Sequence, residues 1–156
     1  MTTTTARSRE IEVIDATTRL GARIIERLRE ERVIWLTTVD RGSPQPAPVW
    51  FIYERVSESE RIVVYSRTNA RRVTNIRYNE RVALNLNCSP GGGQVHVIRG
   101  VARIALELPS VAEATDYRAR YRDWIEDEAY RGETVEAFAT QYSVPIEITE
   151  LEVWGW

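Results

Sequence analysis

The residue types best suited to chemistry cluster in one stretch, Tyr65-Ser66-Arg67-Thr68-Asn69-Ala70-Arg71-Arg72-Val73-Thr74-Asn75-Ile76. It reads as the end of a strand followed by a short helix over residues 70–77, with Thr68 or Asn69 as N-cap. Arg71 and Arg72 then fall in the first helical turn. The free N–H groups there already carry partial positive charge, so each cation costs about 0.3–1 kcal/mol at an exposed site. An anion resting on those N–H groups reverses the sign. Backbone donors, the Ser66 and Thr68 hydroxyls and two guanidinium forks together make a phosphate site. The competing reading has both arginines in solvent, paired with acids elsewhere. Their place at a helix start, after a strand ending in Ser-Arg, favours the phosphate.

Other candidates are weaker. His96 is the only histidine and shares a strand face with Gln94; with no serine or cysteine motif beside it, a structural role is favoured. One histidine and one cysteine, Cys88, cannot supply a closed metal-ligand set. Gly91-Gly92-Gly93 lacks the lysine and the strand-to-helix context of a P-loop. Tyr117, Arg118, Arg120, Tyr121, Arg122 and Trp124 form a basic-aromatic helical patch, read here as surface in preference to a pocket wall. Trp154 and Trp156 close the sequence and need burial against the fold or a second subunit.

The elements that must position these residues follow from pattern. The chain has 156 residues, enough for one domain with its own core. Residues 1–14 read as a disordered tail and 15–156 as the domain. Leu20, Ile24, Ile25 and Leu28 recur at helical spacing within 15–32. Strands are expected at 33–39, 46–53, 61–66, 81–88, 94–106 and 146–154, with Gly100 marking a bulge or bend. The strand Val49-Trp50-Phe51-Ile52 is apolar on both faces, which calls for a core on one side and a partner surface on the other. A helical region over 109–142, opened by Pro109, breaks near Gly132. Six strands, short turns and few crossover helices predict a mainly β fold with helices, an antiparallel barrel closed or nearly so.

Composition excludes several classes. All 21 basic residues are arginine, yet the net charge is −2, which disfavours a general nucleic-acid binder. No apolar run approaches the ~20 residues of a membrane-spanning helix. A lone cysteine precludes an internal disulfide, so a cytoplasmic location is expected.

Leu36-Thr37-Thr38-Val39-Asp40, Pro48-Val49-Trp50-Phe51, the run from Tyr65 to Ile76, Asn79-Glu80-Arg81-Val82-Ala83-Leu84 and Gly100-Val101-Ala102 follow one another in an order that resembles the pyridoxamine 5′-phosphate oxidase-like superfamily. Within it the chain is most similar to the deazaflavin-dependent group that uses coenzyme F-420. The resemblance implies a six-stranded split β-barrel of the FMN-binding type, and a homodimer with cofactor sites at its interface. It places Arg71 and Arg72 on the cofactor phosphate, with Tyr65 and Ser66 beside it. Arg67 and Asn75 belong to the same candidate set. Val49, Trp50 and Phe51 match the strand along the isoalloxazine ring, and Gln94 matches a glutamine reaching the flavin from the facing subunit. Ala47 and Ile52 stand where the true oxidases carry arginine and lysine, and their C-terminal arginine is replaced near Pro145, so oxidation of pyridoxamine phosphate is not expected.

The expected activity is hydride transfer between the deazaflavin and a small organic acceptor. FMN in the same site, in a reductase or oxidase, is the first alternative; a non-enzymatic cofactor carrier is the second. No side chain is assigned as the proton donor. Tyr53, Tyr65 and His96 are candidates if they face the ring. Arg67, Arg77 and Arg81 are candidates to line a groove for the longer deazaflavin tail.

Overall fold

The computed structural model describes residues 13–156. Most of the expected tail lies outside these residues, but Ile14 is buried and its N–H donates to the Glu60 carboxylate at 2.5 Å. Helix α1 (Arg19–Glu30) starts where the Thr18 hydroxyl accepts from the Gly21 N–H. It buries Ile24, Ile25 and Leu28, the stripe its periodicity predicts. Seven strands follow: β1 (Val33–Asp40), β2 (Ser43–Trp50), β3 (Ile52–Val56), β4 (Ser59–Ser66), β5 (Arg81–Asn85), β6 (His96–Ile104) and β7 (Val144–Gly155). Helix α2 (Arg71–Tyr78) separates β4 from β5, while α3 (Thr115–Glu126) and α4 (Val135–Gln141) separate β6 from β7.

All strand pairs are antiparallel, in the order β2-β1-β5-β6-β7-β4-β3. The sheet thus has seven strands rather than six, and its hydrogen-bond ladder is open rather than closed into a barrel. The difference lies in the expected strand over 46–53, which is two strands broken at Phe51. β2 pairs with β1 at one edge of the sheet and β3 pairs with β4 at the other. One residue joins the two edges, so the sheet must curl until they nearly meet. The run Val49-Trp50-Phe51-Ile52 gives no hint of this, because it is apolar throughout.

Side-chain chemistry secures the crossing. The backbone N–H of Phe51 donates to the Tyr121 hydroxyl at 2.8 Å, and carbonyls of Phe51 and Arg32 lie 2.6 and 2.7 Å from the same oxygen. A single phenol on α3 therefore satisfies backbone groups that no strand partner reaches. On β2, Pro44, Pro46 and Pro48 stand two residues apart opposite Val39, Thr37 and Trp35. Alternate residues of a strand point their N–H groups the same way. The missing donors can only face away from β1, or its ladder would lose three bonds. From Pro44 to Pro48 the free edge of β2 is thus stripped of donors, which protects it from pairing with another chain.

Two apolar cores result. The inner one joins α1 and α2 to the concave side of the sheet through Ile24, Leu28, Ile34, Phe51, Val73 and Ile98. The second lies outside β3 and β4, where α3 and α4 cover Ile52, Val63 and Tyr65 with Tyr117, Tyr121, Ile125 and Phe138. The basic-aromatic patch on α3 is therefore divided: Tyr117 and Tyr121 are fully buried, Arg120 and Trp124 are partly covered, and Arg118 and Arg122 stay on the surface. Pro109 does not open a helix, and α3 begins six residues later. Gly100 sits at the β6 register shift, where a Cβ would lie 2.6 Å from the Ile148 side chain.

Candidate functional site

A cleft of about 390 Å³ opens between the end of β2, the end of β4, the start of α2 and the α3–α4 layer. Pro48, Val49, Trp50 and Tyr65 form the strand wall; Asn69, Ala70 and Arg72 form the α2 side; Tyr117, Arg131, Phe138 and Tyr142 close it. The topology explains the opening. β2 and β4 converge at Phe51 but do not pair, so beyond that point the space between them is filled by side chains instead of backbone.

Helix α2 starts without a side-chain cap. Its N-cap is Ala70, not Thr68 or Asn69, so its first N–H groups keep no capping partner. The two arginines expected on a phosphate part company here. Arg72 turns into the cleft and donates to the buried Ser66 hydroxyl at 3.1 Å, whereas Arg71 is exposed and does not line the cleft. Arg72 has no ion-pair partner among the described residues, and burial pulls its guanidinium below the ordinary arginine value. A half-buried cation with no acid beside it is an unfavourable arrangement until an anion arrives. Ser66 is itself inaccessible and acts by holding Arg72 in place.

Arg67 stands at the cleft mouth, bonded to Gln141 at 3.0 Å and stacked on the Tyr142 ring at 5.1 Å. Arg131 meets the same ring from the α4 side at 5.2 Å and is paired with Glu133. The apolar wall is a near-parallel run of rings: Trp50 stacks on Phe138 at 5.5 Å, and Phe138 on Tyr142 at 4.3 Å. Such a surface suits a flat aromatic body, and the arginines around it suit an anionic arm.

The other sequence candidates lie elsewhere. Phe51 is wholly in the inner core. Asn75 donates to Thr38 at 2.9 Å and Gln45 at 3.1 Å, tying α2 to β1 and β2. Gln94 is exposed with φ of 53° and borders the opposite end of α1, where its carbonyl accepts from Arg27. Of the candidate proton donors, Tyr53 bonds Glu60 at 2.6 Å, and burial and that bond push it up to about 12. Tyr65 lines the cleft but gives its hydroxyl to the Pro109 carbonyl at 2.7 Å. His96 is buried with Nδ1 2.8 Å from the Arg27 guanidinium, which fixes that nitrogen as an acceptor. Sequence reasoning missed Phe138 and Tyr142, although their i,i+4 spacing on one helix face was the available signal.

The chain matches the family model described as pyridoxamine 5′-phosphate oxidase over residues 20–154, and it belongs to that family. No curated protein matches it. Among solved structures it is similar to a pyridoxamine 5′-phosphate oxidase candidate from Listeria innocua, with a TM-score of 0.60 at 19% identity, covering 85% of this chain and 94% of that one. An F-420 reductase gives 0.58 at 20% identity, covering 83% and 94%. HutZ, the heme storage protein from Vibrio cholerae, gives 0.54 at 16% identity, covering 88% and 95%. These likenesses establish a shared fold. Among the described residues no helix is long and apolar enough to cross a membrane.

Proposed function

We propose that the chain binds a phosphate-bearing flavin-type cofactor in this cleft and serves as a deazaflavin, coenzyme F-420-dependent reductase of a small organic acceptor. The observation that carries the reading is Arg72, a half-buried cation without an acid partner at the uncapped start of α2. Arg72 and the α2 N–H groups would hold the phosphate, and Trp50, Phe138 and Tyr142 would flank the ring system. Pro48 and Trp50 share the parity that faces the open edge of β2, so they offer a carbonyl and a carbonyl with an N–H to the polar edge of a flat ring. A bound flavin or deazaflavin supplies the hydride chemistry; the chain supplies binding, orientation and shelter from water.

FMN is the second reading, since it would use the same phosphate contact. A carrier without turnover is the third. Heme binding, which a structural neighbour's name attaches to that neighbour, finds no free histidine here: the only one, His96, is buried against Arg27. The homodimer is part of the proposal. A row across the outer face runs Pro48, Trp35, Asn85, Val97, Trp154 through five strands, and none of the five is buried. A second copy would cover it.

The test is the visible spectrum of the purified protein titrated separately with FMN and with coenzyme F-420. Saturable binding of the deazaflavin alone supports the reductase. Tight FMN binding instead moves the chain to the flavin branch, and binding of neither removes the cofactor reading.

A further inference from the structure

Tyr117 stands out among the buried tyrosines. Tyr53 bonds Glu60, Tyr65 bonds Pro109 and Tyr121 bonds Phe51 and Arg32. Tyr117 is only 2% exposed, yet among the described residues its hydroxyl has no hydrogen-bond partner. Nor is that oxygen sealed inside the protein, because the buried unpartnered side-chain atoms are the Nε of Arg32 and of Arg120. Tyr117 borders both the cleft described above and a smaller one of about 270 Å³ under the α3 start, and Tyr65 lines both beside it.

We infer that the Tyr117 hydroxyl is a ligand-directed hydrogen-bond donor, reserved for a neutral acceptor (a carbonyl oxygen or ring nitrogen) on the body of the molecule whose anionic arm meets Arg72. The inference rests on the cofactor-cleft reading above and names a contact within it. The division of labour follows from position. Cationic donors, Arg67, Arg72 and Arg131, border the cleft on its α2 and α4 sides, whereas Tyr117 lies among Trp50, Tyr65 and Phe138. An anion drawn down to that apolar floor would lose its hydration for one neutral donor, an unfavourable exchange. A neutral carbonyl or ring nitrogen loses far less. Burial raises the Tyr117 pKa well above the ordinary phenol value, so the group keeps its proton and can donate. The ligand is thereby specified as an anion with a flat apolar body that carries a hydrogen-bond acceptor some way from its charge.

The test compares Tyr117→Phe with Tyr121→Phe in the full-length protein, reading thermal stability without ligand and affinity for FMN and for inorganic phosphate. Tyr117→Phe should hold or raise the melting temperature, because the lost hydroxyl served nothing in the fold, while Tyr121→Phe lowers it. Tyr117→Phe should also weaken FMN by about tenfold and leave inorganic phosphate unchanged. A melting temperature that falls as far as in Tyr121→Phe makes the hydroxyl structural and overturns the inference. Unchanged FMN affinity, or equal losses for FMN and phosphate, overturns it as well. Where wild-type protein binds coenzyme F-420 and not FMN, the same comparison is made with F-420; if it binds neither, the cofactor reading fails in the wild-type arm and the inference falls with it, whereas failure of the inference alone is confined to the variant.

Discussion

At the scale of single residues, the two adjacent arginines are the sharpest contrast. They are identical in type and one residue apart, yet only Arg72 reaches the cleft. Arg72→Ala is expected to weaken FMN and inorganic phosphate by about ten- to a hundredfold, the loss of a charge-assisted contact. Arg71→Ala should change either by less than about threefold, and isothermal titration of the two variants separates them. His96 supplies a different test. Burial, then the Arg27 cation, lowers its pKa below the ordinary imidazole value. Protons therefore bind more readily to the unfolded chain, so stability is fully present above about pH 6.5 and declines as pH falls through the folded pKa. Melting temperatures between pH 7.5 and 5 should show this decline. His96→Asn, which keeps an acceptor but does not titrate, should flatten it; an unaltered pH profile would remove His96 as the cause.

At the scale of elements, the crossing at Phe51 depends on α3. Tyr121→Phe leaves the Phe51 N–H without its acceptor inside the protein, and should destabilise the fold by about 1–3 kcal/mol in denaturant titration. The same region shows what a sequence can and cannot disclose. The α1 stripe, the Gly100 bulge and the strand-to-helix turn that carries Arg72 were legible because each is set by neighbours a few residues away. Helical spacing gives Ile24 and Leu28, the residues flanking Gly100 suit a strand, and Arg72 follows a strand end by six positions. The break at Phe51 was not legible. It is enforced by Tyr121, seventy positions later, and by the choice of β1 and β4 as separate partners. The same distance hid the far wall of the cleft. Tyr117, Arg131, Phe138 and Tyr142 meet Arg72 only after β7 returns beside β4 and α3–α4 folds over it. Asn75 is the converse case, a polar residue in the promising stretch whose amide is used up by Thr38 and Gln45.

At the scale of the molecule, the proposed dimer explains an otherwise costly surface. Trp154 and Trp156 stay exposed at the end of β7, with Trp154 opposite Val97 and on the same row as Trp35. Sedimentation at micromolar concentration should report a dimer, and Val97→Glu should shift it to monomer without lowering the helix and strand content read by circular dichroism. A wild-type monomer would sink the interface. Such an interface would also bring a second copy's residues near the cleft, the only route by which Gln94, remote from it within one chain, could approach a bound ring.

The single-residue link between the two sheet edges also bears on how the chain can vary in length. Ile52 faces the α3–α4 layer and Tyr53 the inner core, so each has one permitted side. One residue inserted at Phe51 would exchange those sides along all of β3, pushing a phenol outward and an isoleucine off its helices. The turn at Ser57 and Glu58 is exposed and carries no such parity, so additions there leave both cores intact. Descendants of this sequence are therefore free to lengthen at the tip of the β3–β4 hairpin and barred from doing so at its base.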